Sequence, residues 1–251
     1  MKNFFAIGIV ISILFIGCEK KETLSFVNHN IINDTCENCA KVVINTPQAQ
    51  PESPIATSIN QEVDKFIISI LNYSEERTTD SLETAIGIFK NDYKKLKERF
   101  PEDIIPWEAT INGEIAFENE KFTSIKIDSY VFTGGAHGYG SVSYLNFDNA
   151  TGNIIPSEGL FKDEEAFIDY AEETFRNQEK IESDANINST GFMFEDDNFH
   201  LPNSIGFNEK GIILIYNPYE ISAYADGLTK IEIPFEKANE FIKPEWHEAT
   251  H

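Results

Sequence analysis

Apolar positions change their period several times along the chain, and each change marks an element. Ile55, Ile59, Val63, Phe66, Ile67, Ile70 and Leu71 recur at three-to-four spacing, which puts them on one helical face. Ser53 as N-cap and Pro54 at the first helical position start that helix. A second face is made by Leu82, Ala85, Ile86, Phe89, Tyr93, Leu96 and Phe100. Asp80 and Glu83 open it in capping-box spacing, and Pro101 stops it. A third helix starts at Asp163 and turns Ala166, Phe167, Tyr170, Ala171 and Phe175 inward. Elsewhere the period is two. Residues 41–46, 107–111, 115–117, 122–132 and 139–147 read as strands, with turns at 118–121 and 148–152. Shorter strands are expected at 192–195, 204–207, 211–216 and 230–233, a polar loop at 178–191 and a short helix at 235–242. Strands interspersed with helices, without regular βαβ alternation, predict an α+β fold of mostly antiparallel sheets. Two contiguous modules are expected, 41–132 and 133–243, with a tail at 244–251.

The N-terminus has a different pattern. Lys2 precedes an apolar run from Phe4 to Ile16, short for a bilayer span and suited to a signal-peptide core. It ends in Phe15-Ile16-Gly17-Cys18, which resembles a bacterial lipobox. Residues 1–17 are therefore expected to be a signal peptide, and Cys18 to carry acyl chains that hold the protein in a lipid bilayer at the extracytoplasmic face of the cell envelope. Residues 18–40, polar and without sustained period, read as a tether.

Composition narrows the partners. The chain has 251 residues, 42 acidic and 20 basic, for a formal charge of -22. Loss of Lys2 with the signal peptide moves it from -22 to -23. Such acidity argues against nucleic acid as a partner, which needs basic faces. With 41% apolar residues and 20 Phe the chain is too hydrophobic for a disordered acidic segment. The Lys-rich outer face of the second helix (Lys90, Lys94, Lys95, Lys97, Arg99) reads as solvated. Cys36 and Cys39 stand two residues apart. Outside the cytoplasm they are expected to form a local disulfide, with free thiols or a redox pair as alternatives.

The most specific string is Phe132-Thr-Gly-Gly-Ala-His-Gly138, followed by Asn146-Phe-Asp148, Thr151-Gly152 and Leu160-Phe161. A second runs from Gly211 through Asn217-Pro218-Tyr219-Glu220 to Ile221, then Ala223-Tyr224-Ala225, Gly227 and Ile231-Glu-Ile-Pro234. Together they resemble the extracytoplasmic, lysozyme-sensing domain of RsiV-type anti-sigma factors, and the non-catalytic region of PdaC-type peptidoglycan deacetylases. The resemblance spans about residues 41–243 and is stronger in the second half. It implies a fold and a partner class, a basic lysozyme-like protein or peptidoglycan. The segments that bind a sigma factor or catalyse deacetylation have no counterpart in these strings.

Gly134, Gly135 and Gly138 permit positive φ, so a tight connection between two strands is expected there. Tyr130, Thr133, Gly134, Gly135, His137 and Tyr139 are the candidate partner contacts. Asn217–Glu220 reads as a turn with a packed aromatic. His247-Glu248-Ala249-Thr250-His251 spells a zincin motif, but Pro244 has just broken the preceding helix, and it reads as a chance match. No metal, cofactor or catalytic residue is expected. The sequence thus reads as a lipid-anchored, non-enzymatic envelope binding protein. A structural assembly subunit, or an envelope enzyme with an unrecognised site, are the alternatives.

Overall fold

The computed structural model describes residues 24–33, 38–72, 78–101 and 105–247. In chain order the elements are β1 (Ser25–Asn33), β2 (Lys41–Gln50), α1 (Pro54–Leu71), α2 (Leu82–Arg99), β3 (Glu108–Glu118), β4 (Phe122–Phe132), β5 (Tyr139–Asp148), α3 (Ser157–Leu160), α4 (Glu164–Glu179), β6 (Ser204–Asn208), β7 (Gly211–Tyr216), β8 (Thr229–Pro234) and α5 (Phe235–Ala238). They build a five-stranded sheet, β1-β2-β3-β4-β5, and a three-stranded sheet, β6-β7-β8. Every pairing is antiparallel except β2 with β3. That parallel pair needs a long crossover, and α1 and α2 supply it. The fold is α+β and mostly antiparallel, as the pattern predicts.

Ser53 caps α1 by accepting from Ala56 N at 3.1 Å, and Ile59, Val63, Ile67 and Leu71 are buried along the predicted face. α2 begins one residue later than Asp80 suggests. Ser81 is its cap, accepting from Thr84 N. Its buried residues pack with α1 on the face of the first sheet that carries Ile44, Ile111, Ile125 and Ile127. Two of its lysines fasten other segments. Lys90 bonds Asn33 at the end of β1, and Lys97 donates to Asn38 O.

The second core is rich in phenylalanine. Phe161, Phe167, Phe175, Phe194, Phe199, Phe207 and Phe235 are buried between the small sheet and α4. Phe117 and Phe122, from β3 and β4 of the first sheet, belong to this core too. A buried polar seam reinforces the junction. Asn146 donates to Ile205 O at 2.8 Å, and Ser124 Oγ donates to Asn146 Oδ1 and accepts from Phe207 N. Gly206 is needed at this crossing, because a Cβ there would lie 2.0 Å from the Tyr144 ring.

Four expectations change. Residues 25–33, assigned to the tether, form β1 and pair along their whole length with β2. The boundary at 132/133 divides a hairpin, since β5 completes the first sheet. Residues 192–195 are not a strand. Phe192 and Phe194 turn their rings onto Phe175 instead, and Asn188 accepts from Phe194 N at 2.8 Å. The tail docks through residue 247. Trp246 donates to Gly159 O and sets its ring edge-on to Phe122, while Lys121 donates to the carbonyls of Pro244 and His247.

Candidate functional site

β4 and β5 stay in register from Phe122 opposite Asp148 to Val131 opposite Tyr139. Residues 133–138 close this hairpin. Gly134 and Gly135 take φ of +106° and +92°, where other residues are strained, and no atom lies within 4 Å of where a Cβ would sit. Their backbone is therefore bare to solvent. Gly138 has a different task. Its φ is not positive, and a Cβ on it would lie 2.4 Å from the Tyr130 ring. Of the three glycines expected to permit positive φ, only Gly134 and Gly135 take it.

The segment between β7 and β8 meets this hairpin. Asn217 accepts from Val142 N at 2.7 Å and donates to Val142 O at 2.9 Å, so one amide imitates a neighbouring strand on the outer edge of β5. Glu220 fixes that asparagine by accepting from the backbone N–H groups of Asn217 and Asn203. Beyond it, Tyr224 donates to Gly138 O at 2.9 Å, and its ring stacks on the His137 imidazole with centroids 3.9 Å apart. Tyr219 lies beside Tyr224 at 5.6 Å, and Tyr139 donates to Pro218 O. Burial, with the Glu220 carboxylate second, pushes the Tyr139 hydroxyl above its ordinary pKa and keeps it a donor.

The result is a platform of rings wrapped around one end of the first sheet, with Tyr130 and Tyr139 leaving opposite faces of the hairpin, because Tyr139 pairs with Val131. Tyr130, Tyr139 and Tyr219 are 41%, 42% and 60% exposed. Of the predicted contacts, Tyr130, Gly134, Gly135, His137 and Tyr139 gather here, and Thr133 is half-buried in the same loop. Tyr219, read as a packed aromatic, is instead exposed. Tyr219 and Tyr224 complete the platform, and their position some eighty residues downstream hides this in the sequence. The His137 imidazole stacks on Tyr224, and its Nδ1 lies 2.9 Å from the Gly138 carbonyl oxygen.

The face of the first sheet turned away from the helices continues the platform. Asn30, Asn45, Asn112 and Asp128 stand directly opposite one another across β1 to β4 and so share that face. A groove of about 490 Å³ runs over Asn45, Asn112 and Asp128, with Asn28 and Glu114 beside them. Lys126 is tied to Asp128 at 2.8 Å. Tyr130 stands on the same face, one row nearer the platform.

Elsewhere, Cys39 is disulfide-bonded. Cys18 and Cys36 lie outside the described residues. His247 bonds Ile242 O through Nε2, and Glu248 to His251 lie outside the described residues. Among the described residues no three metal-binding side chains gather, and no helix is long and apolar enough to cross a membrane.

The family model described as deacetylase PdaC matches residues 34–139, and the one described as protein of unknown function DUF3298 matches residues 158–236. No curated protein matches the sequence. A DUF3298 family protein from Pseudomonas aeruginosa shares the fold with a TM-score of 0.61 at 17% identity, over 91% of this chain and 97% of that one. A DUF3298 member from Bacteroides fragilis gives 0.62 at 19%, over 89% and 94%. Two family models, PdaC and DUF3298, thus match successive parts of the chain, and the solved DUF3298 structures share its fold.

Proposed function

We propose that this is a lipid-anchored, non-enzymatic binding protein of the cell envelope, and that its platform docks a basic, lysozyme-like protein. The observation that carries this reading is the set of exposed rings, Tyr130, Tyr139, Tyr219 and His137, with the half-buried Tyr224 stacked on His137, at a hairpin end with two bare glycines. Tyrosines held rigid by neighbouring rings and backbone bonds offer large contact area at small entropic cost, which is how binding hot spots are built. The formal charge of -22 steers a basic partner toward such a surface and acts mainly on association rate. Peptidoglycan is the second reading, favoured by the amide-rich groove beside Tyr130, whose paired donors and acceptors suit sugar hydroxyls.

The test is a binding titration of the soluble domain, residues 24–251, against purified lysozymes and against peptidoglycan sacculi. On the first reading lysozyme affinity falls steeply with added salt, and His137→Ala weakens it about tenfold while the melting temperature is kept. Retention on sacculi with no lysozyme binding moves the assignment to the glycan. Binding to neither overturns it.

A further inference from the structure

A second cavity lies on the opposite face of the first sheet, away from the platform. It occupies about 550 Å³ between β1, β2 and the two long helices. That size suits a small organic ligand. Its walls are of two kinds. Ile31, Val63, Leu82 and Ile86 give it an apolar lining, while Asp64 from α1 and Glu83 from α2 supply carboxylates.

Two features of this cavity lack an internal explanation. The first is Asp64. It is half-buried, and among the described residues no donor bonds its carboxylate. Burial raises its pKa, and the charge of His29, across the cavity on β1, only partly opposes that shift. A carboxylate placed in this way gains from a cation that arrives with a ligand. The second is Gly87. It sits inside α2, where only proline is less favourable to the helix, yet a Cβ there would meet nothing within 4 Å. Neither positive φ nor close packing requires glycine at this position. It lines the cavity and is exposed, so the absence of a side chain leaves that part of the wall open.

We propose that this cavity binds an ammonium group carried on an aliphatic stem, the chemistry of a lysine-type side chain or an alkyl diamine. The carboxylates of Asp64 and Glu83 take the charged head, and Ile31, Val63 and Ile86 take the methylenes. The site is independent of the platform and of the partner proposed for it.

The probe is 1,5-diaminopentane, titrated calorimetrically into the soluble domain at neutral pH, with 1-pentanol as the neutral comparison. Saturable binding of the diamine is expected, at least tenfold tighter than that of the alcohol. Asp64→Asn removes the charge, and Gly87→Leu fills that open part of the wall with a better helix former. Each is expected to weaken diamine binding tenfold or more without lowering the melting temperature. His137→Ala is expected to leave it unchanged. Equal affinity for diamine and alcohol, no saturable diamine binding, or full binding in Gly87→Leu would overturn the proposal.

Discussion

Asp64 shows how a single residue can work against the fold that holds it. A carboxyl whose pKa is raised in the folded state binds its proton more readily there than in the unfolded chain. It favours the fold below its ordinary pKa, and that contribution disappears as pH rises through the raised value. Asparagine resembles the protonated form at every pH. Asp64→Asn is therefore expected to raise the urea midpoint at pH 7, and the gain over the unsubstituted protein should vanish below about pH 4. Equal midpoints at both pH values would show that burial does not perturb this group. His137 and Gly138 make the complementary point. One supplies a ring to the platform, and the other supplies the lack of a side chain that lets Tyr130 lie against it. The glycines and histidine were legible as a string, but the close approach of Tyr130 was not, because it depends on a cross-strand register rather than on spacing along the chain.

At the scale of elements, legibility followed contrast. α1, α4, β4 and β5 have caps or long apolar alternation, and they form where the pattern puts them. β1 has little contrast. Its apolar residues come in adjacent pairs, Phe26-Val27 and Ile31-Ile32, and Ile32 is 71% exposed on an open face. The strand is held by its backbone ladder to β2, which no side-chain period announces. The tail misled for the opposite reason. Its single large apolar residue, Trp246, sits beside Pro244 and two glutamates, yet it reaches the second core through a ring contact and an indole hydrogen bond. Trp246→Ala is accordingly expected to cost about 2 kcal/mol in denaturant unfolding, from lost burial and one hydrogen bond. A change below about 0.5 kcal/mol would mean that this turn adds nothing to the core.

For the whole molecule, the two cores are not independent. Phe117 and Phe122 grow from strands of the first sheet into the second core, and the Ser124–Asn146 seam joins the sheets through backbone groups of β6. Melting one core strips partners from the other. Calorimetry should show one transition whose van't Hoff and calorimetric enthalpies agree, and two resolved peaks would refute the coupling. The proposed anchor is tested separately. Cys18→Ala is expected to abolish acyl labelling and to release the protein from the membrane fraction, whereas labelling that persists would remove the anchor. With that anchor, the direction of β1 acquires a mechanical meaning. Ser25 pairs with Gln50 at one end of the sheet, and Asn33 pairs with Val42 at the other. The platform stands at the Asn33 end, where Tyr130 lies in the same row as Ile32, Val43 and Thr110. Seven steps of chain, about 25 Å at full stretch, separate Cys18 from Ser25. The strand then runs about 24 Å further before it reaches the row of Tyr130. If Cys18 is anchored as proposed, β1 would serve as a spacer of fixed length that places the tyrosines at the strand end farther along the chain from Cys18, and a force pulling on a docked partner would run lengthwise through its ladder to β2.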